Sequence, residues 1–198
     1  IKSLNKFLLL TGCRISEVVT KQRPCESEYI VRVNSKGVPQ EPSPKLNNYG
    51  LNLTLTFNEY NGEEVAVWSI TTLKRKDHIV RSIALPLNTK YEPWTKELVK
   101  DWSDGNPYHT HRQIAWICNR QVFDGLSYMS KGRLKPLSNH GLRHIRIKEL
   151  IQYYNFTPLE IQRYVGWTAG TIGVNQQMDT YFSLVWVDYI HKLFKERK

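Results

Sequence analysis

Between Leu51 and Pro86 the hydrophobic pattern of this chain changes period, and that change limits the folds open to it more than any other feature. Leu51, Leu53, Leu55 and Phe57 alternate with Asn52, Thr54 and Thr56, and Asn61-Gly62 supplies a tight turn. Val65, Val67 and Ser69 then begin a second strand, and a third run from Ile79 to Leu85 stops at Pro86. The pattern predicts a three-stranded antiparallel sheet whose second hairpin turn carries Lys74, Arg75, Lys76 and Asp77. On either side of it the spacing is helical. A helix from about Lys2 should break at Thr11-Gly12, a short one should run from Arg14 to about Lys21, and others should cover roughly 93–102, 109–120, 138–154 and 157–165. Ser138 or Asn139 can cap the 138–154 helix, and Thr157-Pro158-Leu159-Glu160 is a start signal with proline at the first helical position. Residues 34–50, rich in proline, glycine and asparagine, read as a loop, and 124–137 as a glycine-rich basic connection. The expected class is therefore α+β, mainly α: helices around a small three-stranded antiparallel sheet, forming one domain over residues 1–198.

The formal net charge of +10 favours a polyanionic partner through counterion release, and nucleic acid is the expected one. No apolar stretch approaches the roughly 20 residues of a membrane span, and no segment resembles a signal peptide, so no membrane partner is expected and a cytoplasmic, nucleoid-associated setting is. Cys13, Cys25 and Cys118 are odd in number and lack paired spacing, which suggests neither a disulfide framework nor a zinc site. His109 and His111 have no neighbouring carboxylates or thiols to complete a coordination shell, so no metal or other cofactor is expected. The chain opens at Ile1, already inside an apolar run, and an amino-terminal region of a longer protein is expected before it.

His140-Gly-Leu-Arg143-His144 puts an imidazole and a guanidinium three residues apart on one predicted helical turn. Thr11-Gly12-Cys13-Arg14-Ile15-Ser16-Glu17 supplies a second arginine, with Glu17 on its face, and Met178-Asp179-Thr180-Tyr181 supplies a phenol. Moving a phosphoryl group from DNA to a protein hydroxyl needs an oxygen nucleophile, cationic donors on the non-bridging oxygens, and an acid for the departing 5′ oxygen. Arginine suits the second role, because its planar fork gives a phosphate two hydrogen bonds and keeps its charge. Arg14 and Arg143 are the candidates.

In the order Arg14, hairpin lysine, His140-x-x-Arg143, Trp167, Tyr181, the chain resembles the catalytic domain of the tyrosine recombinase (phage integrase) family over nearly its whole length. Thr-Gly-x-Arg-x-Ser-Glu at 11–17 is similar to that family's first arginine motif, and His140-Gly-Leu-Arg143-His144 to its second. Tyr164-Val165-Gly166-Trp167 resembles the stretch that closes on glycine followed by histidine or tryptophan. The resemblance implies that Tyr181 attacks the scissile phosphate to form a 3′-phosphotyrosyl bond, with neither ATP nor metal. It further implies that Arg14 and Arg143 bind the non-bridging oxygens, that His140 orients the phosphate and helps manage the tyrosine proton, and that His144 supports the site. Trp167 would donate an indole N–H, and Glu17 would orient Arg14. The general acid would be a lysine of the second hairpin. Lys74 and Lys76 share strand parity, and both remain candidates.

The chain departs from the family pattern in three places. The interval from Trp167 to Tyr181 is longer by several residues, which makes Tyr189 a rival nucleophile. Ile145, Arg146 and Ile147 are larger than the residues usual after the second motif, and the interval between the two arginines is long. Lys131, Arg133 and Lys135 on the basic connection, with Lys45, Arg75, Arg120 and Arg146, are candidates for phosphate-backbone contacts that hold double-stranded DNA without naming its sequence. The bland alternatives are, residue by residue, a solvated face for each of these cations, an i, i+3 surface pair for Arg14 with Glu17, a helix cap for His140 and a core position for Trp167. The resemblance implies a site-specific recombinase of a virus, plasmid or other mobile element, acting as a homotetramer on DNA. The last helix, with Trp186, Tyr189, Ile190, Leu193 and Phe194, is either exchanged between protomers or packed on its own domain. The alternatives are DNA relaxation of the type IB topoisomerase kind and a regulator that binds DNA through helix 138–154 without chemistry.

Overall fold

In the computed structural model, residues 2–19, 29–30, 38, 43–44, 53–72, 80–87, 94–108, 112–167 and 185–194 are described. Helix α1 (Lys2–Thr11) forms because Leu4, Phe7, Leu8, Leu10 and Thr11 recur at helical spacing and bury one face. It breaks at Gly12, as expected. Helix α2 (Ile15–Val18) is shorter than predicted, because Val19 is already extended (φ −74°, ψ 131°) and buried. In the expected loop, Ser43–Pro44 (β2) pairs antiparallel with Tyr29–Ile30 (β1).

Strands β3 (Thr54–Tyr60), β4 (Glu63–Thr71) and β5 (Val80–Pro86) make the predicted antiparallel sheet in the order β3-β4-β5, with Leu55 opposite Trp68 and Trp68 opposite Ile83. Asn61 (φ 51°) and Gly62 (φ 79°) form the first hairpin turn with the left-handed geometry that a two-residue connection needs. The expected alternation fails in β4, where Val65, Ala66, Val67 and Trp68 are all buried. The central strand is covered on both faces. Trp68 packs edge-on against Phe7 of α1 and Trp102, at the end of α3 (Thr95–Asp101). On the opposite face, Phe194, just past helix α7 (Trp186–Leu193), stacks on Tyr60. Phe57, predicted on the apolar parity of β3, is 53% exposed because β3 is an edge strand beyond this cover.

Helix α4 (Arg112–Val122) follows α3. The segment read as a basic connection is instead a hairpin, β6 (Ser127–Ser130) with β7 (Arg133–Pro136). Its turn residues Lys131 (φ 49°) and Gly132 (φ 70°) are both left-handed, and its strands are too short and polar to show an apolar alternation. Helix α5 (Asn139–Gln152) starts where Ser138 Oγ accepts from the Gly141 N–H, and α6 (Pro158–Val165) where Thr157 and Glu160 form a reciprocal capping box. α5 lies along α1, which brings the second arginine motif beside the first.

Candidate active site: a buried arginine cluster

Three helix ends and one strand converge on a group of guanidiniums. Arg14 sits in the turn between α1 and α2. Its backbone N–H donates to Glu17 Oε2 at 2.9 Å and its Nη1 to Oε1 at 3.0 Å. Glu17 is therefore held by its own first turn. The same carboxylate receives Arg81 Nη2 at 2.9 Å from β5. Burial would raise the Glu17 carboxyl, but the Arg81 guanidinium beside it, aided by Arg14, holds it below the ordinary carboxylate range.

Arg81 is the residue the sequence reading missed. It donates to Thr72 Oγ1 (2.9 Å), the Tyr164 carbonyl (3.1 Å) and Cys13 Sγ (3.5 Å) as well as to Glu17. It ties the sheet to α6 and to the first arginine motif. A signal was present: Arg81 lies opposite Ile70 and shares a sheet face with Ile83 and Leu85, and a charge at a core position requires a buried partner. The crowding there also accounts for Gly166. It caps α6 at φ 69°, and a Cβ would stand 2.8 Å from Thr72 Oγ1 and 2.9 Å from Arg81 Nη1.

Arg143 on α5 is 1% exposed. Its Nη1 donates to the Gly12 carbonyl and its Nη2 to the Val165 carbonyl, each at 2.7 Å, and its guanidinium lies 5.8 Å from the Trp167 ring centroid. Neither partner carries charge. Burial, with repulsion from Arg14 and then Arg81, pulls the Arg143 guanidinium down to about 9, still protonated at neutral pH. Among the described residues the cluster thus sets three guanidiniums against one carboxylate.

His140, on the first turn of α5, is exposed, and its ring meets His144 edge-to-face at 4.7 Å. His144 stacks on Tyr128, and burial, then Arg143, Lys135 and Lys131, lower its pKa below the ordinary histidine value. His140 and Arg143 share a helical turn as expected, but only the imidazole is presented to solvent. Trp167 is half-buried, its backbone N–H donating to the Gln162 carbonyl at 2.9 Å.

Two expectations are corrected. Arg146, expected as an exposed DNA contact, is instead fully buried with its charge already met by Glu149 at 2.9 Å, and its guanidinium lies 5.7 Å from both the Tyr154 and Tyr164 rings. Tyr189 is not a rival nucleophile: it is 1% exposed, its hydroxyl donates to the Ser82 carbonyl at 3.0 Å, and burial pushes that hydroxyl far above the ordinary phenol value. Arg120, Lys131, Arg133 and Lys135 are exposed, as a phosphate contact requires. Lys45, Lys74, Arg75, Lys76 and Tyr181 lie outside the described residues, as do His109 and His111.

A cavity of about 380 Å³ opens beside the cluster, with Thr72, Val80, Arg81, Trp167, Val185 and Tyr189 on its wall. Gln162 lines it too; 1% exposed, its side-chain amide has no hydrogen-bond partner at either end among the described residues, and periodicity alone marks it only as helical. Thr72 and Val80 flank the segment that holds Lys74 and Lys76, and Trp167 and Val185 flank the one that holds Tyr181. Among the described residues no group of three His, Cys, Asp or Glu side chains could hold a metal ion, and no helix is long and apolar enough to cross a membrane. Comparison with family models, with curated proteins and with solved structures finds no match to this chain.

Proposed function

We propose that residues 1–198 form the catalytic domain of a DNA strand transferase of the tyrosine recombinase kind, which cuts and rejoins DNA through a 3′-phosphotyrosyl bond at Tyr181. The observation that carries this proposal is the charge imbalance of the buried cluster. Among the described residues Arg14, Arg81 and Arg143 face a single carboxylate, Glu17, and Arg143 is bonded only to carbonyls, a surplus of positive charge that suits an anionic ligand. A scissile phosphate supplies that charge, and the pentacovalent transition state, whose equatorial oxygens carry more of it, gains most.

In the proposed step the Tyr181 oxygen attacks phosphorus, its proton passing to the base at His140. The phosphorus bond to the 5′ oxygen breaks, and Lys74 or Lys76 protonates the leaving oxygen. Reversal by a 5′ hydroxyl from another strand completes the exchange, the bond energy having been kept in the phosphotyrosine. The tether lengths permit it: Tyr181 stands four residues before Val185 and Lys74 two after Thr72, reaches of about 14 and 7 Å from the cavity wall.

The test is a nicked, radiolabelled duplex that traps the intermediate, resolved on a denaturing gel. The parent protein should give a protein-linked strand, Tyr181→Phe none, and Tyr189→Phe should retain it. An adduct absent from the parent protein overturns strand transfer and leaves a DNA-binding regulator. Plasmid relaxation without exchange between sites assigns the same chemistry to a topoisomerase.

A further inference from the structure

The hairpin β6–β7 is built as an arm. Every residue of β7 is exposed, as are alternate residues of β6. Lys131 in the turn and Arg133 and Lys135 on β7 are all exposed, and among the described residues none of the three side chains enters an ion pair or hydrogen bond. Ser130 pairs with Arg133 and Tyr128 with Lys135, so Arg133, Lys135 and Tyr128 share one face, the two cations about 7 Å apart along the strand. Tyr128 seats that face on α5. Its ring stacks on His144 at 5.9 Å, and a Cβ at Gly141 would stand 2.9 Å from its Cε1, so the glycine between His140 and Leu142 is what lets the hairpin dock against the helix of the site. The Leu137 N–H closes the base of the hairpin on the Leu126 carbonyl at 2.8 Å. The arm is therefore fixed at its root beside the histidine pair and unpaired in charge along its length.

We propose that β6–β7 is a duplex-gripping ribbon, in which Lys131, Arg133 and Lys135 bind the DNA phosphate backbone alongside the His140–His144 pair. It deepens the strand-transfer proposal by assigning one element the hold on the DNA. Charge complementarity names the occupant. Three cations without counterions on a ribbon that buries little can be neutralised by a polyphosphate, and a two-stranded ribbon is narrow enough to follow a duplex groove.

The test measures binding of a labelled 30-base-pair duplex by fluorescence anisotropy across a salt series. The parent is compared with the variant Lys131→Ala/Arg133→Ala/Lys135→Ala and with Lys2→Ala/Lys96→Ala/Lys100→Ala, an equal loss of charge at exposed positions elsewhere. The ribbon variant should lose on the order of 100-fold in affinity at 0.1 M salt, and its slope of log K against log salt should fall by about 3, while the control loses only a few-fold. Unchanged binding by the ribbon variant, or equal losses in both variants, overturns the proposal. The adduct assay, run in parallel, separates the two claims. A parent that cleaves while the ribbon variant binds normally removes the ribbon alone, and ribbon-dependent binding by a parent that never forms the adduct removes strand transfer alone.

Discussion

At the scale of the residue, the cluster turns on Glu17, the one carboxylate that Arg14 and Arg81 share. Arg14 and Glu17 were legible because a short-range pair at i, i+3 is written in local spacing. Arg81 was missed although its parity with Ile83 and Leu85 marked a core position, since its partner lies 64 residues away and no local spacing names it. Arg146 was misread for the related reason that a basic side chain in a helix defaults to the surface, whereas here Glu149, Tyr154 and Tyr164 enclose it. Breaking the buried pair leaves a charge without its partner, so Glu17→Gln or Arg81→Met should cost about 3–5 kcal/mol in urea denaturation. The pH dependence has a definite sign. The Glu17 carboxyl is held below its unfolded value of 4.5, so its contribution is complete above that pH and is lost as pH falls through the lower folded value. Acid titration of the parent should show this loss below about pH 4.5, and Glu17→Gln should flatten it.

At the scale of the element, helix starts were the most legible features, because Ser138 and Thr157-Pro158 act on their own first turns. The hairpin at Asn61-Gly62 was equally plain. That at Lys131-Gly132 was hidden, because a lysine at positive φ is rare and four-residue strands carry no period. Helix α6 does more than its capping pattern predicts. Glu160 Oε2 accepts from the Thr157 N–H at 2.6 Å and from Lys192 of α7 at 2.7 Å, so one carboxylate starts α6 and anchors α7. Thr157→Ala should destabilise the protein by about 1 kcal/mol. Gly166→Ala should cost more, about 2 kcal/mol or above, because it adds a left-handed alanine to a collision with Thr72 and Arg81. Under the proposed function, adduct formed per folded molecule should also fall further than the loss of stability accounts for.

For the whole molecule, period carried the reading to an α+β fold with a small three-stranded antiparallel sheet. The burial of the central strand on both faces was not legible, since it depends on α7 returning to Tyr60 from the far end of the chain. The central claim is one collective property: among the described residues the fold concentrates three guanidiniums in a largely buried place beside one carboxylate. The most direct measurement of that property is thermal denaturation with orthovanadate, which takes the five-coordinate geometry of a transferred phosphoryl group, against chloride at matched ionic strength. The parent should gain a saturable rise in Tm of about 5–10 °C at a hundred times the dissociation constant, and Arg14→Gln, at a partly exposed position of the cluster, should abolish it. No rise beyond that in chloride, or an equal rise in Arg14→Gln, would contradict the account.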